Sequence, residues 1–358
     1  MKVFEATTLG GLELKNRIIM APMTRSRAID NIPNNLMKEY YSQRSSAGLI
    51  LSEATAVSPN GTGYPRIPGA YTDEQIAGWK NIAKGIHNKG GKIFVQLFHT
   101  GRVSALLNLP KGAETIAPSV VPLREMEMYT DEEGMQPHDI PREMTLDDIE
   151  QVQQEYVTAS IKLIEAGIDG IEVHAANGYL LEQFLDPKTN LRSDHYGGDY
   201  KKRARFVLQT TQKVVQAIGA DKTGIRFSPY GVVNGMTGDY ADIVELYTYL
   251  ANELSKLNLA YIHIADQRSA MSAPEFATDI WKTIGDNFIG PMIGGGNVDS
   301  AMKAEKLLND GYDLVYIGRP FIANPNLIEK LKKQKELVPF DPDLLYSPGP
   351  RGYTDWEN

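Results

Sequence analysis

Short, nearly continuous apolar runs alternate along this chain with longer segments whose apolar residues recur every three or four positions. The short runs are Arg17–Met23, Leu49–Ala54, Lys92–Phe98, Gly170–Ala175, Thr223–Ser228, Ala260–Ala265, Pro291–Gly295 and Asp313–Ile317. A run that is apolar at odd and even positions alike predicts a strand covered on both faces, as in parallel sheet. The longer segments predict helices. Asp73–Ala83 sets Ile76, Trp79, Ile82 and Ala83 on one stripe, and Thr145-Leu-Asp-Asp148 offers a capping box ahead of Ile149, Val152 and Tyr156. Further helices are expected near Pro33–Ser46, Tyr200–Ile218, Tyr240–Lys256, Ala273–Ile284, Val298–Asn309 and Asn326–Lys335. Eight such β/α units predict an α/β fold, a single closed (β/α)₈ TIM barrel with right-handed crossovers, and an open doubly wound sheet is the alternative.

Two pieces interrupt the alternation. Phe4–Leu14, with Gly10-Gly11 at its centre, predicts an N-terminal hairpin that plugs the barrel bottom. The stretch His99–Glu143 after strand three is rich in Pro and charge and lacks helix period, so a functional lid over the C-terminal face is expected there. No linker divides the chain, and 1–358 is expected to form one domain.

Composition removes whole classes of chemistry. There is no Cys, which excludes disulfides, thiolate metal sites, iron–sulfur clusters and cysteine nucleophiles. The net charge of −8 is dispersed, which argues against nucleic-acid and anionic-membrane partners. The first residues run into polar sequence without an apolar core, and no run approaches a membrane span, so a cytoplasmic location is expected.

A barrel builds its active site at the C-terminal ends of its strands. Strand four ends in His174, Asn177 and Tyr179. If the chain turns helical just past the strand, His174 and Asn177 face one ligand and clamp a carbonyl oxygen. Tyr179 keeps its proton at neutral pH and is placed to donate it. Strand one ends in Pro22-Met23-Thr24-Arg25, strand two in Ser52-Glu-Ala-Thr-Ala56, strand three in Gln96-Leu-Phe-His99, and strand five in Arg226-Phe-Ser-Pro229. Strands seven and eight end in Gly294-Gly295-Gly296-Asn297, running into a helix start, and in Gly318-Arg319-Pro320. Glycines that admit close approach, beside an arginine, point to a phosphate seat.

Six segments carry a family likeness: Ile18-Ile-Met-Ala-Pro-Met-Thr-Arg25, Glu39 through Thr55, Val95-Gln-Leu-Phe-His-Thr-Gly-Arg102, His174-Ala-Ala-Asn-Gly-Tyr-Leu-Leu181, Gly318-Arg-Pro-Phe-Ile-Ala-Asn-Pro325 and Gly352-Tyr-Thr-Asp355. Spread in order from end to end, they resemble the old yellow enzyme family, the flavin-dependent ene-reductases. The resemblance implies a non-covalent FMN over the barrel top, reduced by NADPH or NADH, and electron-poor alkenes such as enones, enals, maleimides and nitroalkenes as substrates. It also implies that Thr24 bonds the flavin C4 carbonyl, that Pro22, Met23 and Ala56 line the ring, and that Gln96 binds the pyrimidine edge. Arg226 would sit near N1 and the C2 oxygen, while Gly295, Gly296, Gly318 and Arg319 would hold the phosphate. His174 and Asn177 would bind the substrate oxygen, Tyr179 would protonate the α-carbon, and Tyr64 and Tyr346 would line the cavity. The sequence departs from the family pattern at Phe98, where Trp is usual, and at Arg351 and Trp356 in the tail; Thr24, rather than Cys, is expected to affect the redox potential.

Plainer roles compete for several of these residues. Arg226 also suits an ion pair with Glu172, Thr24 a helix N-cap, Gln96 the satisfaction of barrel backbone, and His99 structural support of its loop. Tyr40 and Tyr41 fit packing. For the whole protein, the rivals are a phosphate-binding barrel lyase or isomerase without a redox cofactor, and a non-catalytic flavin-binding protein. A monomer or homodimer acting on small molecules is expected.

Overall fold

The computed structural model describes residues 1–268, 273 and 278–356. Its main sheet is a ring of eight parallel strands: β1 (Ile18–Met20), β2 (Leu49–Leu51), β3 (Ile93–Phe98), β4 (Gly170–Ala175), β5 (Thr223–Phe227), β6 (Tyr261–Ile264), β7 (Met292–Gly295) and β8 (Leu314–Ile317). Each strand bonds to the next, and β8 bonds to β1 through Val315↔Ile18 and Ile317↔Met20. The closed ring rules out the open doubly wound sheet.

Two strands end earlier than their apolar runs. Ala21 N–H makes the last rung of β1 with the Ile317 carbonyl, and Pro22 has no N–H to continue it. Past β2 the chain leaves the ladder and re-enters as Thr55–Ala56 beside Leu97–Phe98, which places Ala56 at the barrel top.

Alternation splits each strand's side chains between two cores. Ile19, Leu49, Leu51, Phe94, Tyr261, Ile293, Leu314 and Tyr316 fill the barrel, joined by Leu9 and Leu14 of the N-terminal hairpin. The hairpin pairs Thr7–Leu9 with Leu12–Leu14. Its turn uses Gly10 and Gly11 at φ 52° and 83°, and a Cβ at Gly10 would lie 2.0 Å from the Asp221 carbonyl oxygen. The expected plug is therefore in place, fixed by a glycine that no side chain can replace.

The outer core lies between the strands and α1 (Asn35–Gln43), α2 (Asp73–His87), α3 (Leu146–Glu165), α4 (Tyr200–Ile218), α5 (Ile243–Ser255), α6 (Ile280–Asn287), α7 (Ala301–Asn309) and α8 (Leu327–Lys332). α2 and α3 begin with complete capping boxes, Thr72 with Gln75 and Thr145 with Asp148. α3 buries Ile149, Val152, Tyr156 and Leu163, and each large apolar side chain so buried contributes about 1.5–3 kcal/mol. Part of the helix expected over Ala273–Ile284 lies outside the described residues. In the excursion after β3, the pattern missed an antiparallel hairpin, Glu127–Thr130 with Gly134–Pro137. Only Met128 and Thr130 face inward there, a period of two too short to register as a strand.

Candidate active site

His174, Arg226 and His263 stand opposite one another on β4, β5 and β6 at the C-terminal end of the barrel. Two residues earlier on β4, and so on the same face, Glu172 stands opposite Gln96 of β3. Gln96 Nε2 donates to Glu172 Oε1 at 2.7 Å, and His263 Nδ1 lies 2.8 Å from Glu172 Oε2. Glu172 is thus committed to Gln96 and His263 and forms no ion pair with Arg226, which corrects that alternative. Arg226 is 8% exposed, its Nε has no hydrogen-bond partner, and among the described residues no carboxylate pairs with its guanidinium.

The turn after β4 is not helical, contrary to the expectation. Asn177 and Gly178 take φ 58° and 74°, and the short helix Leu180–Leu185 starts only after Tyr179. Asn is among the few side chains that tolerate this left-handed region, while a Cβ at Gly178 would press on the Val233 carbonyl oxygen at 2.6 Å. The turn is bonded at every point. Asn177 N–H donates to Ser228 Oγ at 2.8 Å, Ser228 Oγ–H to Glu182 Oε1 at 2.7 Å, Gly178 N–H to Glu182 Oε2 at 2.5 Å, and Asn234 Nδ2 to the Asn177 carbonyl at 2.7 Å. Burial pushes the Glu182 carboxyl up to about 8.

These bonds fix which atoms remain free. Gln267 Oε1 accepts from Val232 N–H at 2.9 Å and Val233 N–H at 3.3 Å, so its amide nitrogen faces the other way and donates to Asn177 Oδ1 at 3.0 Å. With its oxygen engaged, Asn177 presents Nδ2–H to the cavity. His174 Nδ1 accepts from Ala176 N–H at 3.2 Å, which places the proton of the neutral ring on Nε2. The ring stays neutral because burial, then Arg226 and His263, hold its pKa well below the ordinary histidine value. Each side chain therefore keeps one neutral donor uncommitted, His174 Nε2–H and Asn177 Nδ2–H.

Tyr179 packs edge-on to the rings of His174 and Phe98, with centroids 5.1 and 5.0 Å away, and its hydroxyl donates to Tyr64 Oη at 3.2 Å. Burial raises the pKa of both phenols, so both keep their protons. Phe98 stacks on His174 at 6.3 Å and closes an apolar patch with Ala54, Ala56 and Ile67. Tyr346 sits on the rim, 59% exposed, its carbonyl accepting from Arg66 Nη2 at 2.9 Å. Arg66 also donates to the Ser26 carbonyl at 3.1 Å and pairs with Asp131 of the excursion hairpin. His99 is fully buried, accepts from Gly101 N–H at 3.0 Å and is held down to about 3 by burial, a supporting role.

Pro22, Met23 and Thr24 line a partly open edge, and no helix begins at Thr24, so its N-cap alternative fails. Gly295 and Gly318 close neighbouring strands, since Gly295 pairs with Tyr316 two residues before Gly318. Gly296 has φ 108°, Arg319 is exposed, and a Cβ at Gly318 would meet nothing nearer than 3.6 Å. α7 starts at Ala301 with Ser300 as its N-cap, so Gly296-Asn297 enters a loop and not a helix start as expected.

The departing tail is tightly held. Tyr353 stacks on Tyr40 at 4.0 Å, Arg25 Nη2 donates to the Gly352 carbonyl at 2.8 Å, and Arg27 Nη2 reaches the Leu344 and Arg351 carbonyls at 2.9 and 3.2 Å. Tyr41 instead bonds buried Glu53, whose carboxyl burial pushes up to about 7. Arg351 is exposed and Trp356 partly buried, so it is Tyr353 that anchors the tail. Sequence reasoning missed Gln267, Ser228, Glu182 and His263. Strand six ends in Ala265-Asp266-Gln267, and the same strand-end logic applied there finds Gln267.

Arg226 and Gly318 test whether these residues suit a flavin nucleotide. A buried guanidinium with no bonded partner costs several kcal/mol, so an acceptor from outside the polypeptide fits it. At Gly318 a Cβ would only touch Ala21 and Met23 at van der Waals distance, so the chain leaves that strand end uncrowded. Both fit FMN, and together with the two donors beside Tyr179 they define a flavin-dependent barrel oxidoreductase. Residues 2–337 match the model of the NADH:flavin oxidoreductase / NADH oxidase family, and the chain belongs to that family. It is 39% identical to chanoclavine-I aldehyde reductase fgaOx3 of Penicillium roqueforti (strain FM164), covering 99% of this chain and 96% of that one. It is 35% identical to 12-oxophytodienoate reductase 7 of Oryza sativa subsp. japonica, covering 99% and 94%. Among solved structures, morphinone reductase superposes with TM-score 0.95 at 40% identity, covering 99% of this chain and 96% of that one. The old yellow enzyme homologue from Zymomonas mobilis superposes with TM-score 0.94 at 34% identity over the whole of both chains. Among the described residues, no helix is long and apolar enough to cross a membrane.

Proposed function

We propose that the chain works as one domain, a cytoplasmic monomer or homodimer, that reduces electron-poor alkenes with NADPH or NADH. The observation that carries the reading is the pair of fixed neutral donors, His174 Nε2–H and Asn177 Nδ2–H, beside a protonated Tyr179 and an unpaired Arg226. A bound FMN would supply the two-electron redox chemistry that couples oxidation of the nicotinamide to reduction of the alkene. Thr24, Gln96 and Arg226 would hold its polar edge, Pro22, Met23 and Ala56 its ring, and Gly295, Gly296, Gly318 and Arg319 its phosphate.

The chain's own part is binding, charge stabilisation and one proton. His174 and Asn177 grip the carbonyl or nitro oxygen, and their bonds strengthen as negative charge grows on it. Because neither donor is charged or must reorient, the clamp is already arranged for the transition state. Tyr179 Oη–H gives its proton to the α-carbon, and the Tyr64 hydroxyl beside it stabilises the phenolate until solvent restores the proton. Phe98 and Tyr64 exclude water, and Tyr346 shapes the rim of the cavity.

Anaerobic stopped-flow separates the two half-reactions. The FMN-loaded protein is expected to be yellow, to bleach with NADPH and to recover its colour with an enone. Tyr179→Phe is expected to slow recovery by roughly 10²-fold or more, the size of a general-acid contribution, while leaving bleaching nearly unchanged. Equal slowing of both steps would remove the proton-donor role, and a yellow protein that NADPH never bleaches would sink the reading.

A further inference from the structure

Beneath the clamp lies a buried carboxylate–imidazole pair, Glu172 and His263, that the proposed binding and protonation leave unused. Glu172 is fully buried and accepts from Gln96 on one side and His263 on the other. Since its neutral ring donates Nδ1–H to the carboxylate, His263 is left with a bare acceptor at Nε2. That atom has no partner, and neither has Arg226 Nε, a donor on the residue directly opposite in register. The Tyr316 ring packs 4.7 Å from the imidazole, so His263 is held between an aromatic face and the carboxylate. Orphaned buried donors and acceptors are rare, and among the described residues one of each belongs to residues opposite in register on β5 and β6, not bonded to each other.

We propose that the buried Glu172 carboxylate, held in place by Gln96 and His263, acts through its charge on Arg226 and the flavin to set the reduction potential of the flavin. The inference rests on the proposed function for the placing of FMN beside Arg226. Glu172 lies one inward-facing position below the Arg226 layer, about 7 Å along the strand, in an interior that screens poorly. His263 and Arg226, with Gln96, hold it ionised against burial. The guanidinium therefore divides its field between a permanent charge below and the charge that reduction brings above. Glu172 tempers the stabilisation of reduced FMN, and its removal leaves Arg226 wholly to the flavin.

The midpoint potential of the FMN-loaded protein, measured against a reference dye at fixed pH, tests this with Glu172→Gln and Glu172→Asp. Glu172→Gln is expected to raise the ratio of reduced to oxidised flavin about tenfold at a fixed poise, or about 30 mV for a two-electron couple. Glu172→Asp keeps the charge while breaking the packing, and is expected to stay within about threefold of the parent. Equal shifts in both variants, or none in Glu172→Gln, would overturn the proposal. Should Glu172→Gln not fold, reciprocity supplies a second measurement on the unaltered protein. The imidazole ¹⁵N resonance of His263 must move when the flavin is reduced, and an unmoved resonance counts against the coupling. A protein that takes up no FMN would instead refute the proposed function, whereas a yellow, reducible protein indifferent to Glu172 refutes this inference alone.

Discussion

Gln267→Glu should invert half of the clamp without touching a residue that meets the substrate. The substituted carboxylate still accepts from Val232 and Val233 N–H, so the loop over the site keeps its anchor. What it loses is the N–H that now donates to Asn177 Oδ1 at 3.0 Å. An oxygen facing an oxygen at that distance repels, and the Asn177 amide relieves it by turning over, giving Nδ2–H to the carboxylate and Oδ1 to the cavity. A bound enone or phenol then loses one of two donors, a net of about 0.5–1.5 kcal/mol, and also meets an unsatisfied acceptor, a further 1–3 kcal/mol or so. Because His174 still donates, the sum is expected near 2–3 kcal/mol, a roughly 30- to 150-fold weaker complex. Titrating a para-substituted phenol into the oxidised holoenzyme and following the flavin spectrum measures it directly. FMN affinity serves as the internal control, since among the described residues the Gln267 side chain bonds only Asn177 and the Val232–Val233 loop. If the variant binds the phenol within threefold of the parent, Asn177 is not oriented by Gln267 and the clamp geometry is wrong.

Two further outcomes follow from the same contacts. Gly318→Ala is expected to keep the parent's melting temperature, since its Cβ meets nothing nearer than 3.6 Å, yet to weaken FMN binding at least tenfold; equal FMN affinity would place the phosphate elsewhere. Stability should pass through a maximum near pH 6.5. Below it, buried His99, His174 and His263, whose folded pKa values are depressed, bind fewer protons than the unfolded chain, so stability rises with pH up to the unfolded histidine value. Above it, Glu53 and Glu182, raised to about 7 and about 8, still hold protons the unfolded chain has lost, so stability falls as pH climbs through those values. Calorimetric scans of Glu182→Gln should lack the fall between pH 7 and 8, and its persistence would show that another group titrates there.

Legibility in the sequence tracks how local the determining physics is. The eight strands, the hairpin plug and the capping box of α3 are written in spacing and in Gly10-Gly11, and each appears where the spacing puts it. The strand-end rule likewise brings His174, Arg226 and Tyr179 to one face. It misplaces the cause of the clamp, however. The i, i+3 spacing of His174 and Asn177 suggested a helical turn, yet Asn177 and Gly178 are left-handed, and what forces them there is distant in sequence: Ser228 after β5, Asn234 beyond it and Gln267 after β6. Ser228 and Gln267 stand at strand ends, yet nothing local says what they bond, and Asn234 lacks even that signal, because serine, asparagine and glutamine are ordinary loop residues until closure of the ring sets three loops side by side.

Arg226 depends on ring closure in the same way. Alternation along β4 offers Glu172 as an alternative partner for it, and a paired arginine would be structural. The ring instead gives Glu172 two other donors, one from β3 and one from β6, the strands flanking β4 and β5 on either side. Because both are supplied from neighbours that no short-range pattern predicts, Arg226 is left without a carboxylate partner among the described residues and its Nε without a hydrogen bond, and such a buried charge suits an anionic partner. The barrel's closure thus does more than hold the site: by satisfying Glu172 from its two sides, it leaves Arg226 without a carboxylate partner among the described residues, as the proposed contact with the cofactor requires.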